Sequence, residues 1–125
     1  MTSVTVTINE ITYNAITDGV DTLINLCPHS VNFVLNGEDI QIPPSGQLAR
    51  CRAITVRTGE VFMGIPVSRT VYGEVEGLPS ARPHVGYIVS GLVKGRVPER
   101  LDVFAPSETI RNDAGQVAGA ASLGV

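Results

Sequence analysis

Six side chains in this sequence have the chemistry to hold a small polar ligand: Asn25, His29, Arg69, Tyr72, Arg100 and Arg111. An Arg side chain presents a planar fork of donors that matches phosphate or carboxylate oxygens two at a time. Eight of the nine basic residues are Arg, with Lys94 the single Lys. Tyr72 brings a ring able to stack on a base. His29, in Cys27-Pro28-His29, brings an imidazole, a group suited to phosphate binding or general-base work. Each also has a plainer structural role open to it: His29 ordering a turn, Tyr72 filling the core rim, Arg100 pairing with Asp102. Glu74 and Glu76 share a strand face, where paired carboxylates either hold a metal, serve acid–base chemistry or are simply solvated. His84, in Arg82-Pro83-His84, is read as a structural loop residue. No phosphate-binding glycine loop, zinc-ligand spacing or nucleophile elbow is present, so neither cofactor nor metal is expected.

These groups sit in a chain whose composition is that of one folded domain. It has 125 residues, 43% hydrophobic and 17% charged, enough to bury a core without disulfide or metal staples. The net charge of −3 argues against nonspecific binding to a nucleic-acid backbone, which relies on excess Lys and Arg. Cys27 and Cys51 lack any metal or redox spacing and read as reduced, buried small residues. No basic leader or long apolar run opens the chain, so no membrane association and a cytoplasmic location in the host cell are expected.

Thirteen Gly and eight Pro cut the chain into short strands and turns. Val4, Val6 and Ile8 alternate with Thr, the period of a half-buried strand. Residues 10–21 are less regular, so 1–22 read as an N-terminal strand or arm and 23–125 as a single β-rich domain. Asn36-Gly37 between two β-prone runs marks a hairpin. From Gln47 to Arg57 the alternation slips, which calls for a bulge near Ala53 before a turn at Thr58-Gly59. Pro66 places its segment at a sheet edge or bend. Ser90 is a candidate cap for a helix ending at Val97, with Leu92 and Val93 inward. Asn112-Asp113-Ala114-Gly115 is a further turn, and Gly119–Val125 reads as partly ordered at most. The pattern predicts a mainly β fold, a small antiparallel sandwich or partly open barrel with one short helix.

The runs Asn25-Leu26-Cys27-Pro28-His29, Ile42-Pro43-Pro44-Ser45-Gly46, Arg69-Thr70-Val71-Tyr72-Gly73-Glu74-Val75-Glu76-Gly77-Leu78-Pro79 and Tyr87-Ile88-Val89-Ser90 resemble a family of small phage and prophage proteins with no assigned activity. Pro98-Glu99-Arg100-Leu101-Asp102 and Ile110–Gly115 fit the same pattern, and the resemblance covers residues 23–120. Cys27 stands where the family pattern has Thr. The resemblance implies a viral setting, in which small proteins often sequester or destroy the nucleotide signals of bacterial immunity. The leading expectation is therefore a homo-oligomer that binds a phosphorylated or nucleotide-derived ligand through the six residues named first. One alternative is a phosphodiesterase using His29, or a metal on Glu74 and Glu76. The other is a protein that plugs a host factor or joins a virion, marked by an exposed apolar patch in place of a polar pocket.

Overall fold

The computed structural model describes residues 1–125. In chain order its elements are β1 (Thr2–Ile8), β2 (Ile11–Thr17), β3 (Thr22–Asn25), β4 (Val31–Leu35), β5 (Glu38–Ile42), β6 (Arg50–Phe62), β7 (Ile65–Glu76), β8 (Val85–Ile88), α1 (Gly91–Arg96), β9 (Val103–Arg111) and β10 (Val117–Gly124). Eight strands form one curled sheet in the order β1-β2-β3-β8-β9-β10-β4-β5, a half-barrel, while β6 and β7 pair only with each other. Of the two architectures expected, the partly open barrel with one short helix is the one adopted. Its pairing is mixed, because β3–β8, β8–β9 and β10–β4 run parallel. Parallel neighbours need a crossover, and residues 89–102, which carry α1, supply it between β8 and β9.

Local chemistry explains the turns. Asn9-Glu10, Asn36-Gly37 and Met63-Gly64 each place both central residues at positive φ, the type I′ signature whose twist suits tight hairpins. Asp18 accepts hydrogen bonds from the amides of Val20 and Asp21, and Asn112 from those of Ala114 and Gln116, so short polar side chains close two further turns. Those bonds to Asp18 hold its carboxyl below the usual carboxylate range. Ser90 caps α1 as expected, accepting from the Val93 amide. Val93 is buried, but Leu92 is exposed, since a helix this short turns only one narrow stripe inward.

Two apolar clusters fill the half-barrel. The larger contains Ile8, Tyr13, Ala15, Ile24, Leu26, Ala49, Tyr87, Val89, Val93 and Val103. The smaller contains Cys27, Val31, Phe33, Ile42, Ile88 and Ala120. The compact body thus takes in the first hairpin instead of starting near Thr22, because Ile8, Tyr13 and Ala15 alternate onto the core face. Burial pushes the Cys27 thiol up, so it stays protonated and unreactive.

Two further expectations give way to packing. Gly119–Val125 is not a loose tail: β10 lies between β9 and β4. Small residues are needed there, as a Cβ on Gly119 would stand 2.8 Å from the Asn32 carbonyl oxygen. Thr58-Gly59 is not a turn either. The register of β6 on β7 shifts between Arg57 and Val61, with Gly59 at φ +86°, so this pair forms a bulge inside a longer strand. The bulge expected near Ala53 is present, between Cys51 and Ala53.

Candidate functional site

The feature least explained by folding is the β6–β7 arm. Beyond Ala53, which pairs with Tyr72, neither face of the hairpin packs on the barrel and nearly every residue is exposed. Its root is held by Cys51, Val75 and Leu78 against the main core. Past the root the arm is anomalous in composition. Ile54, Val56, Val61, Phe62, Met63, Ile65 and Val71 are all large apolar residues in solvent, with Phe62 73% and Met63 87% exposed at the tip. Polar side chains stiffen it without hiding these groups: the Thr58 hydroxyl donates to the Val67 carbonyl and accepts from the Glu60 amide. An isolated two-stranded hairpin is marginal in water, and a concentrated exposed apolar patch marks a contact surface.

The six residues singled out from sequence do not come together. Asn25 is fully buried and wholly engaged: its amide donates to the carbonyls of His29 and Ile42, and its side-chain oxygen accepts from the Cys27 amide. His29 lies in the following loop, exposed, with Nδ1 3.0 Å from the Ser30 carbonyl oxygen. Arg69 is on the exposed middle of the arm, opposite Val56. Tyr72 stands at the arm root, where its carbonyl accepts a 3.5 Å contact from Arg96. Arg111 sits at the far end of β9 and donates to the Gly115 carbonyl in its own turn. Arg100 grips Asp102 through two bonds of 2.8 Å and also donates to the Pro79 carbonyl. Glu74 and Glu76 gain no third ligand, and no cluster of three metal-binding side chains forms.

Arg100 and Asp102 are more than the surface pair expected. Their side chains are only 24% and 21% exposed, and Arg100 ties the residues leading into β9 to the Pro79 carbonyl. The hydrogen bond from Arg100 holds the Asp102 carboxyl below its ordinary value of 3.8. A depressed carboxylate stabilises the fold above its unfolded value, and that contribution fades as pH falls from near 3.8 through the lower folded value. Asp102→Asn is expected to cost about 2 kcal/mol at pH 7, between the exposed and buried limits for such pairs. The gap from wild type should narrow toward pH 3, as read by urea unfolding at the two pH values.

Surface concavities are shallow. One of about 470 Å³ is lined by Leu23, Arg82, His84, Gly86, Asp102 and Phe104 among others. His84 Nδ1 is 3.0 Å from Asp21, both well exposed, while Arg82 makes no ion pair. Gly86 keeps the floor flat, as a Cβ there would meet the Phe104 ring at 2.9 Å. A second, of about 400 Å³ at the arm root, holds Gly73, Glu74, Leu78, Arg96 and Arg100. A third, of about 270 Å³, is almost entirely apolar, formed where Met1 and Leu23 meet Phe33, Leu35, Ile40 and Leu123. No buried side-chain nitrogen or oxygen lacks a hydrogen-bond partner. No helix is long and apolar enough to cross a membrane.

Arg82, Phe104 and the arm tip were not singled out from sequence. The tip had a usable signal: Val61-Phe62-Met63 followed by Ile65 is apolar on both parities across a Met-Gly turn, which cannot be a strand with one wet face. Comparison with protein-family models, with curated proteins and with solved structures finds no match.

Proposed function

We propose that this chain is a protein–protein interaction module whose working element is the β6–β7 arm. The observation that carries this reading is the exposed apolar tip, Val61, Phe62, Met63 and Ile65, held clear of the barrel. A chain lowers its own solubility by displaying such a tip unless a partner covers it. In the viral setting that the family resemblance implies, the corresponding work is joining a virion or plugging a host factor. The arm can be shortened without touching the core. Ala53 and Tyr72 pair across it, so joining them through an Asn-Gly turn should leave the melting temperature within a few degrees. The test compares partners held by the full and shortened chains, identified by mass spectrometry after cross-linking. Loss of the main partner supports the arm; unchanged association would overturn it.

A second reading rests on a different observation, the concavity holding Arg82, His84 and Phe104. A guanidinium without an ion-pair partner and a ring beside a flat floor suit a planar group bearing an anion, such as a nucleotide-derived immune signal. It would be met on the Arg82 side, away from the Asp21 and Asp102 carboxylates that His84 and Arg100 hold. A nucleotide at a hundred times its dissociation constant should add about 2.7 kcal/mol of stability. Melting curves with ADP-ribose and cyclic dinucleotides test this: an upward shift lost in Arg82→Ala supports it, and no shift with any of them discards it. Release of a linear product would indicate cleavage instead of sequestration.

A further inference from the structure

We propose that the arm's occupant is a second copy of this chain, with the tip of one copy seated in the apolar groove of the other. This rests on the arm being the working surface. Both halves of the contact are present in one chain. The tip offers Phe62 and Met63; the groove bounded by Phe33, Leu35, Ile40 and Leu123 offers a hollow of about 270 Å³ with no charged side chain in its lining. The two do not meet within a copy, since the tip is solvent-exposed.

Charge supports the same docking. Arg69 shares an arm face with Val56, Ile65 and Phe62 and forms no ion pair. Glu38, two residues before the groove residue Ile40 and on the same face of β5, is exposed and likewise unpaired. β5 is also an edge strand, as are both strands of the arm, so backbone donors and acceptors are free on each side of the contact.

The area is adequate. The arm from Ala53 to Phe62 spans about 33 Å, and two strands are about 10 Å wide, giving roughly 330 Å² per face. In a two-fold exchange that covers the arm along its whole length each copy gives one face and receives another, at most about 660 Å² per partner, near the low end of stable interfaces. Reciprocal exchange also closes the assembly with no tip left over.

The test is the mass of the full-length protein in solution by light scattering, with three variants. Wild type should run as a dimer or a larger closed oligomer. Phe62→Asp with Met63→Asn, both at exposed positions and with Asn tolerant of the positive φ at 63, should weaken association at least about thirtyfold, the loss of one hot spot. Arg69→Glu should weaken it too, and adding Glu38→Arg should restore it. A monomeric wild type at the highest attainable concentration, an oligomer indifferent to the tip variant, or a charge exchange that fails to rescue would each overturn self-docking. Such a failure is distinct from failure of the interaction reading, which falls only if the shortened arm keeps every partner.

Discussion

Asn25→Ala is expected to lower stability by about 4 kcal/mol, since it strands two carbonyls and an amide, each costing about 1–3 kcal/mol when buried and unpaired. The side chain is a clamp. It joins the end of β3 to the Cys27–His29 loop and to the last residue of β5, while its own carbonyl accepts from the Ser45 amide. Ser45 in turn accepts from the Asn14 amide, so the first hairpin hangs on the same node. Loss of Asn25 should therefore loosen three segments together, seen as a lower urea midpoint and faster amide exchange at Cys27 and Ser45. Asn25→Asp should be worse at pH 7, with a carboxylate facing two carbonyl oxygens. Burial raises such a carboxyl, and the protonated form can donate, so this variant should recover part of its stability as pH falls. An Asn25→Ala protein within 1 kcal/mol of wild type would show that the clamp does not matter.

Gly77→Ala is the second large effect, again about 4 kcal/mol. Gly77 has φ +84°, and a Cβ there would lie 2.1 Å from the Leu48 carbonyl oxygen, a contact that only backbone movement relieves. The conformation alone costs about 1–3 kcal/mol for a residue with a side chain, and the clash adds to it. The position matters because β7 ends at Glu76 and the chain must turn past the strand entering β6. Displacing it shifts Leu78 and Pro79, hence the core edge and the carbonyl that Arg100 holds. Gly64→Ala makes the control: φ is +77°, but nothing lies within 4 Å of the added methyl. It should cost only about 1 kcal/mol. Equal losses at the two positions would remove the steric argument.

The architecture was legible from turns and alternation. Asn36-Gly37, the Ser90 cap and the slip before Ala53 all carried local chemistry that the fold obeys. The parallel junctions were not, because pairing between distant strands leaves no local trace. The dispersal of the candidate residues was not legible, for one reason. Asn25, Arg100 and Arg111 have the side chains of a binding site, yet each bonds to backbone: Asn25 ties the Asn25–His29 run to Ile42, Arg100 ties the residues leading into β9 to Pro79, and Arg111 closes its own turn on Gly115. Side-chain type cannot distinguish a donor aimed at a ligand from one aimed at a carbonyl elsewhere in the chain. The arm escaped notice because exposed apolar residues look, in sequence, like core.

Leu23 and Leu123 line both the apolar groove and the Arg82–His84–Phe104 concavity, so one thin wall separates the two hollows. A ligand that shifts Leu23 or Leu123 on one side of that wall would reshape the other. By thermodynamic reciprocity, a solute that prefers the assembled form must tighten assembly by the same factor by which assembly tightens the solute. Titrating an anion while following oligomer mass would then read out both equilibria in a single curve.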